Sequence, residues 1–121
     1  MSIDINAGVL VAVDTADAWT LLIDQPASKV GWVKGTILNL NAATAHIQIA
    51  TIHAADVPVD PLNLPAALDL RVRDKVSIST DTSIALGAPN AIILGPEDLL
   101  YITSSVADIN VHTDNLLEAS A

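Results

Sequence analysis

The sequence predicts an all-β domain, an antiparallel β-sandwich of jelly-roll-like form with about eight to ten short strands. Three observations carry this. Apolar and polar residues alternate with period two in run after run, and Gly, Pro, Asn, Asp and Ser separate those runs at regular spacing. No span holds a 3.6-residue apolar period beyond two turns, and no internal repeat or low-complexity tract is present. The hydrophobic fraction of 51% is built from Ala, Ile, Leu and Val, with two Trp, one Tyr and no Phe. Branched aliphatics suit a pleated sheet.

In chain order, Gly8 to Asp14 reads as a first strand, and Ala18 to Ile23, after Thr15-Ala16-Asp17, as a second ending at Asp24-Gln25-Pro26. These two are expected to pair as a hairpin. From Ser28 to Gly35 an extended chain puts Val30, Trp32 and Lys34 on one face. Gly31 and Gly35 predict a bulge or the close approach of another backbone. From Thr36, Leu38 and Leu40 point one way, and Asn39 and Asn41 the other. After Asn41-Ala42-Ala43-Thr44, the residues Ala45, Ile47 and Ile49 alternate with His46, Gln48 and Ala50, which predicts a second hairpin.

Residues 54–68 break the rhythm, because Pro58, Pro61 and Pro65 each remove a backbone donor. No central strand fits there. The apolar Val57, Val59, Leu62, Leu64 and Leu68 still need cover, which makes the stretch either a crossover against one end of the sandwich or an arm on a neighbouring subunit. A crossover is the expectation, as connections within a domain are the commoner case. From Leu70, Val72, Val76 and Ile78 face in, while Arg71, Arg73 and Lys75 face out and gather cations on one strand.

Thr80 to Ser83 is a turn, Ile84 to Leu86 a short strand and Gly87 to Asn90 another turn. Gly95-Pro96-Glu97-Asp98 turns into a third expected hairpin, Leu99 to Ser104 and Ala107 to His112, joined across Ser104-Ser105. On its first strand Leu100 and Ile102 share one face, and Leu99, Tyr101 and Thr103 the other. Apolar residues on both faces predict cover on both sides, by the core and by a subunit contact. Residues 115–121 are expected to be a flexible tail, and residues 1–121 a single domain.

Fourteen acids against five bases give a net charge of −9, which repels phosphate backbones and anionic membranes. Neither nucleic acid nor membrane is an expected partner. Without cysteine the chain has no disulfide and no thiolate metal site. Met1-Ser2-Ile3-Asp4 lacks the cationic start of a signal peptide, and Val9 to Val13 is too short to span a membrane, so assembly in the cytoplasm is expected.

No catalytic constellation stands out. His46 and His53 are an odd number of residues apart and would face opposite ways on one strand, while His112 belongs to another. There is no G-x-S-x-G turn, and Gly31, Gly35, Gly87 and Gly95 form no phosphate-cradling loop. Asp14 with Asp17, Asp56 with Asp60 and Glu97 with Asp98 are loop carboxylates of the kind calcium uses, but none follows the spacing of a calcium loop. Trp19, Trp32 and Tyr101 fit a core or interface better than a carbohydrate platform. The expectation is a non-enzyme with no metal and no cofactor. The strip Arg71, Arg73 and Lys75 is either a solvated face or a dock for acidic surface on a partner.

The stretch Leu94-Gly95-Pro96-Glu97-Asp98-Leu99-Leu100-Tyr101-Ile102, followed by Ser104-Ser105 and Ile109-Asn110-Val111-His112, resembles the C-terminal part of small β-sandwich virion proteins of tailed bacteriophages. Leu38 to Ile52 is similar to a second hairpin of the same proteins. Asp114-Asn115 stands where that family often has Gly, and the Pro-rich stretch is outside its pattern. The resemblance implies a capsid decoration or cement protein at the outer surface of the virion, or a neck, tail or fibre accessory. It implies a homo-oligomer, commonly a trimer, bound to a virion protein such as the major capsid protein. Multivalent contacts through Val57, Val59, Leu62, Leu64, Arg71, Arg73, Lys75, Leu99 and Tyr101 would supply the bridging. A carbohydrate- or calcium-binding sandwich module is the alternative of another class.

Overall fold

The period-two runs become nine β-strands in the structure, a computed structural model that describes residues 3–56, 72–87 and 91–119. They are β1 (Ile3–Val13), β2 (Thr20–Asp24), β3 (Lys29–Asn39), β4 (Ala45–His53), β5 (Val72–Ile78), β6 (Ser83–Leu86), β7 (Ile92–Leu94), β8 (Asp98–Ser104) and β9 (Ile109–Ala119). A single 3-10 turn, Ala54–Asp56, follows β4. Sheet A has the order β1-β9-β3-β6, with β7 pairing β3 on the same side as β6, and sheet B the order β2-β8-β4-β5. All of these pairings are antiparallel. With β6 and β7 taken as one interrupted strand, these are the two sheet orders of an eight-stranded jelly roll. The interruption falls at Gly87, whose φ of 74° and contact with the Val33 carbonyl oxygen leave no room for a Cβ.

The expected all-β jelly-roll-like sandwich is therefore what the chain forms, but the strand partners differ from expectation. None of the three expected hairpins exists. β1 pairs β9 and β2 pairs β8; β3 and β4 lie in opposite sheets, as do β8 and β9. Alternation identifies a strand without identifying its partner, and in a jelly roll successive strands mostly face each other across the core. The loops read as hairpin turns are arches between sheets. The Pro-rich segment, expected as a crossover, comes between β4 and β5, which are antiparallel neighbours. The segment 57–71 itself lies outside the described residues. The expected tail is also corrected: Asn115 to Glu118 belong to β9, paired with β1 on one side and β3 on the other.

The core lies between the inner faces. Sheet A contributes Val13, Val33, Ile37, Leu94, Ile109 and Val111, and sheet B contributes Ile47, Ile49, Ile78, Leu100 and Ile102, all buried. Burying each such aliphatic contributes about 1.5–3 kcal/mol relative to exposure. Polar residues are set into this core with partners. Asn39 donates from Nδ2 to the carbonyls of Ala43 and Ile78 (both 2.9 Å) and accepts at Oδ1 from the Asn41 N–H, which ties the β3–β4 arch to the end of β5. Asn39 and Ile37 thus face in, while Leu38 is half-buried and Leu40 exposed.

At the other end Gln25 donates to the Lys29 carbonyl and accepts from Asn115 Nδ2 at 2.9 Å. Both amides occupy the space left by the missing Cβ of Gly31, and Asn115 Oδ1, which has no hydrogen-bond partner among the described residues, rests there. Gly35 admits the His112 carbonyl oxygen where its Cβ would stand. The close backbone approach expected at these two glycines is present at Gly35, whereas at Gly31 the neighbours are side chains.

Candidate interaction surfaces

The two sandwich faces that point away from the core are the surfaces this fold offers to partners. On sheet B that face is already covered in part by the chain itself. Ala50 and Ile52 of β4 sit in register with Tyr101 and Leu99 of β8, and Trp19, just before β2, packs on the group. Leu99 and Tyr101 are each 8% exposed, so β8 is buried on both faces and its outer cover comes from within one chain. Burial, and secondly the Asp24 carboxylate, push the Tyr101 hydroxyl above its ordinary pKa. Further along, His46 Nδ1 lies 2.9 Å from Ser77 Oγ, a cross-strand pair between β4 and β5.

Sheet A presents a different face. Trp32 of β3 is in register with Ile93 of β7 on one side and Leu116 of β9 on the other, forming an apolar row across three strands. Trp32 is half-buried, but Ile93 is 56% and Leu116 39% exposed. In the next outward row Lys34 is in register with Asp114. Trp32, Lys34, Ala91, Asp114 and Leu116 line a shallow depression of about 360 Å³. In the outward row after that, Leu10 of β1, 61% exposed, stands in register with His112, beyond which Thr36 and Ala85 continue the row. An exposed apolar row of this kind marks a place where surface is available to a partner.

Of the residues singled out from the sequence, Val57, Val59, Leu62, Leu64 and Arg71 lie outside the described residues, as do the side chains of Arg73 and Lys75. The backbone of these last two runs along β5, an edge strand of sheet B. Trp19 and Tyr101 share one outer face and Trp32 occupies the opposite one, so the three do not form a single platform. The His53 ring accepts the Ala55 N–H at Nδ1 (3.1 Å), which directs the Nε2 side toward Glu97 Oε2 at 3.8 Å. Among the described residues no three His, Asp or Glu side chains gather in a way that could hold a metal ion. Sequence reasoning passed over Ile93 and Leu116. Leu116 shares the outer face with Asp114 and Glu118 and alternates with Thr113, Asn115 and Leu117, a period hidden because Thr113 and Asn115, at inward positions, are polar.

No protein-family model matches the chain, and no curated protein matches it in sequence. Solved structures align with it over most of its length. A protein from a study of Bacillus endospore appendages, described as a novel family of disulfide-linked pili, superposes with a TM-score of 0.56 and 8% identity, covering 99% of this chain and 90% of its own. The Eiger TNF of S. frugiperda gives 0.43 with 13% identity, covering 98% of this chain and 93% of its own. A carbohydrate-binding module from Cellvibrio mixtus lichenase 5A, solved with cellotriose, gives 0.38 with 11% identity, covering 96% of this chain and 90% of its own. At 8% identity the likeness to the pilus protein is one of fold alone. This chain has no cysteine, so a disulfide linkage between subunits is not open to it.

Proposed function

We propose that this chain is a non-catalytic structural subunit of a bacteriophage virion, a capsid decoration or cement protein that bridges capsid subunits through many weak contacts. The observation that carries this reading is the outer face of sheet A, where Ile93, Trp32, Leu116 and Leu10 offer apolar surface on a rigid sheet. A rigid face with little depth suits docking to a large surface better than enclosing a small substrate. The residues around Gly95 to Ile102 and Ile109 to His112, which resemble small virion proteins, give the reading its place in a particle. The likeness in fold to a pilus subunit agrees with a repeated structural role. Its partners would then be further copies of itself and a virion protein such as the major capsid protein, on the particle's outer surface.

Fractionating virus particles on a density gradient and assaying the bands for this chain tests the reading. Co-migration in a fixed ratio to the capsid protein, with particles that lack it breaking at lower temperature, is the expected result. A chain absent from particles and binding a glycan through Trp32 would instead make it a carbohydrate-binding module.

A further inference from the structure

We propose that the outer face of sheet A docks on the same face of a second copy, about a two-fold axis that runs along the strands between β3 and β9. The inference rests on reading the chain as an assembly subunit and names the surface and the occupant. The register decides the match. A two-fold axis in that position lays each β3 over the partner's β9 while keeping rows aligned. Trp32 then meets the partner's Leu116, and Lys34 meets the partner's Asp114, each contact occurring twice. Ile93, one strand out, lies over the partner's β1, and Leu10 over the partner's Ala85.

Charge complementarity points to a copy as the occupant. Lys34 and Asp114 are a pair of opposite sign placed symmetrically about the proposed axis, and Glu118, the other described acid on this face of β9, falls over the partner's Val30. No like charges of β3 and β9 meet. Packing of this kind is the aligned sheet-on-sheet class, in which strand directions stay within about 30° of each other. The area is also adequate. β1, β9 and β3, each eleven residues long, span roughly 14 Å by 36 Å, and β6 with β7 add a strip of roughly 5 Å by 23 Å. That is about 620 Å² in flat projection, which side-chain relief brings toward the roughly 800 Å² per partner of a standard interface.

Sedimentation velocity on the purified chain and on two charge-reversal variants tests the pairing. The wild type is expected to show a concentration-dependent dimer. Lys34→Glu sets Glu on the partner's Asp114, and Asp114→Lys sets Lys on the partner's Lys34, so each variant alone is expected to dimerise at least about tenfold more weakly. Mixed in equal amounts, the two variants recover complementary pairs at both contacts, and the dimer is expected to return. No fold defect confined to one variant produces that recovery. If circular dichroism shows that either reversal disturbs the fold, Ile93→Asp, at an exposed position, provides the weakened dimer instead. A wild type that stays monomeric, a trimer whose mass ignores all three substitutions, or a mixture that fails to recover overturns the proposal. A monomer that still co-migrates with particles removes this docking surface and leaves the virion reading standing; a dimer absent from particles does the reverse.

Discussion

Asp17, Asp81, Glu97 and Asp108 hold positive φ values between 56° and 63°. Acidic composition in this chain is therefore partly turn chemistry, since Asp tolerates the left-handed region better than most side chains. Glu97 follows Pro96 at the position where a type II turn needs positive φ, and the turn closes through Asp98 N–H to the Gly95 carbonyl at 3.1 Å. Tyr101 holds its proton more tightly than a free phenol does. Burial and the Asp24 carboxylate hold its hydroxyl neutral beyond the ordinary value of 10.0. Because the folded state keeps this proton longer than the unfolded state, the stability it contributes is present below about pH 10 and is lost as pH rises through the folded value. Tyr101 is the only tyrosine, so tyrosinate absorbance reports it directly. The titration midpoint of the folded chain is expected above that of the chain in urea; coincident midpoints would remove the effect.

At the scale of elements, β9 decides whether sheet A exists. Among the described residues it is the only strand that bonds both β1 and β3, over Ile109 to Glu118. Truncation after Asp114 removes Asn115 with its bond to Gln25, and strips pairing from both neighbours at once. The shortened chain is expected to lose its folded circular dichroism or to drop by several kcal/mol in urea unfolding, whereas a frayed tail could be cut without change. The same strand shows what could be read from sequence. The apolar alternation of Ile109 and Val111 was legible as strand, and so was β8 with its two apolar faces. The continuation past Thr113 was not, because Asn115 faces the core as a polar residue whose Nδ2 is bonded to Gln25, ninety positions away in sequence. Partner choice was illegible for a similar reason. Alternation is a local signal, and the contacts that select β9 for β1 are distant ones. The cross-strand row Ile93, Trp32 and Leu116 could be assembled only once those partners were known.

For the whole molecule, a net charge of −9 on 121 residues opposes compaction by self-repulsion. Moderate salt shortens the Debye length to about 8–10 Å and relieves that repulsion. Calorimetry is expected to show the melting temperature rising by a few degrees between about 10 mM and 150 mM salt. A falling melting temperature would mean that attractive pairs outweigh the net charge.

The partnership of β1 with β9 also sets the order of events when the chain is made. Ile3 pairs with Glu118, so the first described strand waits for the last described one before it has a neighbour. β3 waits for the same strand on one of its sides. Sheet A cannot close before β9 is made, and closure of long-separated strands is intrinsically slow. During that interval the inner and outer apolar residues of β3 are exposed together, so the surface that serves docking in the finished molecule is a hazard in the nascent one.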